Sequence, residues 1–237
     1  MCADDGPDRV VGAHRCFVCV VPRVRRALST RRPGSRDQYE RAVGRHAERE
    51  YADARSVAVQ AAEAARDELP VEDAAGRLLA WARAFRQWSL TDPEGFRLIY
   101  GDPVPGCQAP AGGDAFVAGH RARAGLTGLV AAAWPFAEAL QSADAYDWSD
   151  FDPTRVGLVR AQFPDLPPTA VALALRVWGR LHGLVSLEIY GHLRGRTTDP
   201  GRVHRTEIHD LIRSLGLNPP AWAHGPRPSR GPGATGS

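Results

Sequence analysis

The side chain with the most chemistry to offer is His182, one helical turn after Trp178 and one turn before Ser186. A neutral imidazole carries one donor and one acceptor, so a buried ring can satisfy one nitrogen with a neighbour and present the other to a ligand. A purely structural hydrogen bond uses the same geometry and competes with that role. Glu188 and His192 stand four residues apart and could share a helix face as two metal ligands. No third ligand accompanies them, and a salt bridge or a solvated pair is the simpler reading. Cys16-x-x-Cys19 has the spacing of half a zinc site or a redox pair, with His14 and Cys2 as conceivable further ligands, but no second pair follows. Cys107 sits in a proline-rich loop with only Asp102 and Gln108 nearby, which reads as an inert thiol. The chain offers no nucleophile elbow, phosphate loop, paired-acid spacing or closed metal set. The expectation is a protein that is not an enzyme, with no catalytic residues, no metal and no cofactor.

His182 lies in the stretch from Val177 to Leu193, whose apolar residues leave almost no solvent face. Such a helix is buried on two sides. Gly179 and Gly183 lie inside it and Gly191 near its end, each costing helix stability unless a second backbone packs close. The stretch therefore predicts a central helix that also meets a partner subunit.

Other elements must position it. Asp37 can cap a long helix whose apolar positions run through Ala65 and end before Pro70. A second begins near Val71, with Ala74, Leu78, Trp81, Phe85 and Trp88 recurring on one face. Thr91-Asp-Pro-Glu94 announces a short helix to about Tyr100, and the prolines and glycines of Gly101 to Gly106 then force a loop. A further helix runs from about Asp114 towards Leu140, kinked by Pro135. Residues 142 to 168 read as irregular, with one short helix near Arg155 to Ala161. Pro167-Pro168 opens the central helix, and Asp199-Pro200 opens the last one, stopped by Gly216. These elements give an all-α class with no confident strand.

Composition sets outer bounds. The 237 residues suffice for a sizeable core. The net charge of +3 is mild, and all thirty basic residues are arginine, a bias that fits GC-rich coding and does not argue for nucleic-acid binding by itself. No uninterrupted apolar run reaches membrane-spanning length, and the segment Cys16 to Val21 lacks a signal-peptide cleavage site. The four cysteines make no disulfide framework for a chain of this size. A cytoplasmic location with reduced thiols and no membrane partner is expected.

Three stretches fall in order: Trp88-Ser-Leu-Thr-Asp-Pro-Glu-Gly-Phe-Arg-Leu-Ile-Tyr100, then Gly101-Asp-Pro-Val-Pro-Gly106 with Ala109-Pro110, then Trp178-x-x-x-His182-Gly183 through Glu188 to Gly191-His192. Together they resemble the WHG-type C-terminal domain of TetR-family transcriptional regulators, over roughly residues 36 to 217. The resemblance implies a helical ligand-binding and dimerisation domain behind a three-helix DNA-binding head of helix-turn-helix type. In such regulators a dimer reads two half-sites, and ligand binding shifts the spacing of the heads.

The expected organisation is a TetR-like helical bundle over 35–217, an irregular segment over 1–34 in place of the head, and a disordered tail over 218–237. Residues 1–34 are too short and too proline-broken for three packed helices, and lack the Gly-Val-Ser turn with Leu-Tyr-x-x-Phe. Either the head has been lost, or the start is truncated or out of frame; DNA is a partner only if a head is present. The functional expectation is a TetR-like regulator, of repressor type, that dimerises and binds a small-molecule effector of unknown identity. The alternative is a headless ligand-binding or protein-interaction module.

The effector-site candidates are Trp88, Phe96, Tyr100, Phe136, Trp178 and His182, apolar walls with a few polar tips. Core packing competes for each of them. The homodimer-face candidates are Leu184, Leu187, Tyr190 and Gly191, with Ile208, Leu211 and Leu215 of the last helix. A purely intramolecular core would leave the two-sided apolarity unexplained.

Overall fold

A computed structural model of the protein describes residues 36–101, 114–141 and 146–220, with side chains from residue 49 onward in the first helix. Among the described residues there are seven α-helices and no strand. They are α1 (Arg36–Asp67), α2 (Ala74–Thr91), α3 (Pro93–Tyr100), α4 (Asp114–Ala137), α5 (Pro153–Gln162), α6 (Pro168–Ile189) and α7 (Pro200–Ser214). Short 3-10 turns lie at Glu138–Leu140 and Trp148–Asp150. The cysteines at 2, 16, 19 and 107, with His14, lie outside the described residues, as does the proposed degenerate head.

Aspartate and proline set most of the starts. Asp73, Asp92, Asp152 and Asp199 each accept a backbone N–H of the first turn, and Pro93, Pro153 and Pro200 occupy the first turns behind the last three. An aspartate there satisfies a donor that would otherwise be orphaned, and proline supplies a helical φ where no donor is needed. Asp92 works in both directions: its backbone N–H donates to the Trp88 carbonyl at 2.8 Å, closing α2, while its carboxylate accepts from Gly95 N at 3.1 Å, opening α3.

The central helix is shorter than its apolar stretch. It stops at Ile189, because Gly191 takes φ +78 and the His192 N–H turns back to the Leu187 carbonyl at 2.8 Å. Only glycine enters that left-handed region cheaply. Gly216, at φ +72, ends α7 in the same way, with Leu217 N donating to Ile212 O at 3.2 Å.

α1 lies against α2, α3 and α4, while α6 contacts α2, α4 and α7. The core forms where their apolar stripes meet: Leu78, Phe85, Val130, Val177, Leu181, Val185, Ile208 and Leu215 are buried in one cluster. α6 has the length and composition of a membrane span, contrary to the expectation from charge spacing. Its inner residues, from Leu173 through Ile189, are spent on this bundle core.

Candidate functional site

α2, α3 and the inner side of α6 converge on one aromatic cluster. α3 is short enough that Phe96 and Tyr100, four residues apart, share a face and reach α6 together. Phe96 is fully buried, its ring 5.0 Å from Tyr100 and stacked on His182 at 5.6 Å. Tyr100 meets His182 edge-on at 4.8 Å and Trp178 at 5.4 Å. Phe85 closes the other side, 5.4 Å from Trp178 and 6.3 Å from Trp88. Arg97 anchors α3 to the end of α6: it donates to the Ile189 carbonyl at 3.2 Å and pairs with Glu94 at 2.6 Å.

The cluster is electrically neutral at pH 7. Burial lowers the His182 pKa, and the Ser186 hydroxyl lies 3.4 Å from its Nε2, at the outer limit of a hydrogen bond. Burial likewise pushes Tyr100 up to about 12, against the opposing pull of Arg55. Flat rings with two polar tips can hold an apolar body by stacking and orient it by hydrogen bonds.

The structure brings together Trp88, Phe96, Tyr100, Trp178 and His182, and leaves Phe136 apart. Phe136 is 57 % exposed beside the Gly216 turn and contacts none of the cluster's rings. Trp81 and Phe85, read from spacing as the packing face of α2, prove to be ring partners of Trp178. Tyr190 belongs to two places, meeting Phe96 at 6.4 Å while 43 % exposed.

The dimer-face candidates divide. Leu184 is half-buried, Leu187 is 40 % exposed, and Gly191 forms the turn. Ile208, Leu211 and Leu215 are sealed inside the chain's own core, so they are corrected: they cannot meet a partner without opening the bundle. The physical reason is that α7 carries a single apolar stripe, and α2 and α6 already cover it. What α7 turns outward is Val203, Thr206, Asp210 and Arg213.

The outer side of α6 is open. Leu175, Gly179, Gly183 and Leu187 recur every four residues along it, and a Cβ added at either glycine would meet nothing within 4 Å. A shallow groove between α6 and α7 runs alongside, lined by Leu184, Val203, Thr206 and Asp210. Arg180 spans the two helices, reaching Glu207 and the Ser214 hydroxyl.

Glu188 and His192 do not share a helix face, since His192 lies beyond the end of α6. Glu188 is instead gripped by Arg86 of α2 at 2.6 and 2.8 Å. Among the described residues no group of His, Cys, Asp or Glu is placed to hold a metal ion.

Comparison with known proteins adds three findings. The family model described as Tetracyclin repressor-like, C-terminal domain, matches residues 78–211. The HTH-type transcriptional regulators Rv1816 of Mycobacterium tuberculosis and Mb1846 of Mycobacterium bovis are each 30% identical over 167 residues, which is 69% of this chain and 69% of theirs. The crystal structure of SCO4313, described there as a candidate regulatory protein, matches with a TM-score of 0.54 and 26% identity over 74% of this chain and 76% of that one.

Proposed function

Because this chain belongs to the TetR family of transcriptional regulators, we propose that residues 35–217 form its effector-binding and dimerisation domain and carry out no catalysis. Two copies associate through the outer side of α6 and the adjoining face of α7. A small organic molecule enters among Phe96, Tyr100, Trp178 and His182, with Trp88 behind them. Its arrival changes how α3 and α6 pack, and the change passes along α6 to the subunit contact. The location that suits this role is the cytoplasm.

The observation that carries the reading is the asymmetry of α6. Its inner side is taken by the aromatic cluster and core, while Leu175, Gly179, Gly183 and Leu187, with Arg176 among them, leave its outer side uncovered in the single chain. Glycines facing outward cost helix stability without gaining anything inside the bundle, a cost offset when a second helix comes close. Sedimentation equilibrium of the full chain at micromolar concentration tests this. The expected mass is twice the 25.7 kDa of one chain, and a single-chain mass contradicts the assembly.

A further inference from the structure

A concavity of about 580 Å³ lies between the end of α1, the start of α2, α4 and the end of α5. That volume suits a small organic molecule. None of the aromatic cluster's rings lines it. Its floor is α4, where Ala124, Gly125, Gly128 and Leu129 face the space. A Cβ added at Gly125 would meet nothing nearer than Arg66 Nη1 at 3.5 Å, and one at Gly128 nothing nearer than the Phe163 ring at 3.6 Å. Neither glycine has a positive φ. Backbone conformation and close packing therefore demand glycine at neither position, although each costs stability inside a helix. What the two glycines supply is room.

The walls are apolar in one part and cationic in another. Val71 and Ala74 at the start of α2 and Phe163 at the end of α5 supply the apolar part. α5 buries none of its own residues, and the Phe163 that follows it leans on Gly128. Arg66, Arg77 and Arg121 supply the cationic part. Arg66 holds Asp67 through Nε and Nη2 at 2.7 and 2.9 Å, and Arg77 reaches the same carboxylate at 3.1 Å. Arg121 pairs with Glu63, Nε to Oε1 at 3.1 Å. Among the lining residues and their direct ion partners, three guanidinium groups thus share two carboxylates, and one positive charge is left over. Arg66 is where an anion can meet it. Its Nη1 makes no hydrogen bond to a described residue and is the atom nearest the open face of Gly125.

We propose that this concavity is a second binding site, for a small organic monoanion. The acid group meets Arg66 Nη1 beside Gly125, and the apolar body lies along Gly128 and Leu129 against Phe163 and Val71. A guanidinium already held in place by Asp67 is a preorganised donor for a carboxylate. The site shares no residue with the aromatic cluster and does not rest on the effector-site reading given to that cluster.

Fluorine NMR of 4-(trifluoromethyl)benzoate and 4-(trifluoromethyl)benzyl alcohol with the full chain separates charge from shape, because the two share a ring and differ in charge. At pH 7.5 the acid is expected to bind about tenfold tighter or more, the size of a charge-assisted hydrogen-bond contribution. Arg66→Gln should lose about that factor for the acid and leave the alcohol unchanged. Gly125→Met and Ala132→Leu each put a side chain into the space and should abolish acid binding. Ala132 lines the space and is exposed, so its replacement leaves the core intact. Gly125→Met should hold or raise the thermal midpoint, because a glycine leaves a helix interior. If it lowers that midpoint, Ala132→Leu decides alone. Acid binding that survives the filling variants places the acid elsewhere and overturns the site. Equal affinity for acid and alcohol, or an unchanged Arg66→Gln, overturns the anion assignment. Absence of acid binding to the wild type at millimolar concentration overturns the proposal outright. Each of these results leaves the aromatic cluster's role standing, since no residue of the cluster is altered.

Discussion

His204 is buried to 4 % exposure, and its Nε2 has no hydrogen-bond partner. Burial first, then the charges of Arg86 and Arg205, lower its pKa to about 4 from an ordinary 6.5. Between those two values the unfolded chain takes up a proton that the folded chain refuses. The neutral ring's contribution is therefore complete above pH 6.5 and is lost as pH falls towards 4, at up to about 1.4 kcal/mol per unit and about 3 kcal/mol in all. Urea denaturation at pH 7.5 and 5.0 should show that fall, and His204→Phe should flatten it; a wild-type midpoint that does not move contradicts the assignment. Phe96→Ala, at the fully buried centre of the cluster, should cost about 3–5 kcal/mol in the same assay. Most of the cluster was legible in the sequence because Phe96 and Tyr100, like Trp178 and His182, lie one turn apart and so share a face. Phe136 was not, because a one-turn count does not say which way the last turn of α4 points after Pro135.

Element ends followed chemistry that can be read in one dimension. Aspartate ahead of proline marked the starts of α3 and α7, and Gly216 marked the end of α7; Asp152-Pro153 opens α5 in the same way, inside a segment read as irregular with a short helix near Arg155 to Ala161. Asp92 serves two helices at once, so Asp92→Ala should destabilise by about 0.5–2 kcal/mol, readable as a lower urea midpoint with unchanged slope. Gly216→Ala should cost more than 1 kcal/mol, because alanine must adopt φ +72 and its Cβ would come 2.5 Å from the Phe136 carbonyl. A wild-type midpoint in that variant contradicts the turn geometry. The end of α6 was placed too late because its apolar character continues through Leu193, while the chain turns at Gly191. α7 was misread in direction: its periodicity gave the stripe correctly, but periodicity cannot say whether that stripe meets its own bundle or another chain.

At the scale of the whole molecule, seven described helices make one bundle, and α6 runs through it with a filled side and an open side. The all-α class and the TetR-family membership could be read from residue order alone, because the Trp-His-Gly stretch, the Asp-Pro start and the proline-rich loop occur in sequence. The division of labour across α6 needed the structure, which moved Ile208, Leu211 and Leu215 inside and left Leu175, Gly179, Gly183 and Leu187 facing out. The central claim is that this outer face holds a second copy. Light scattering of the wild type and Leu187→Arg tests it most directly, since Leu187 is 40 % exposed and its replacement leaves the core of a single chain intact. The account predicts a dimer for the wild type, and for Leu187→Arg a single 25.7 kDa chain that still unfolds cooperatively. A Leu187→Arg protein that stays dimeric at the same concentration contradicts it.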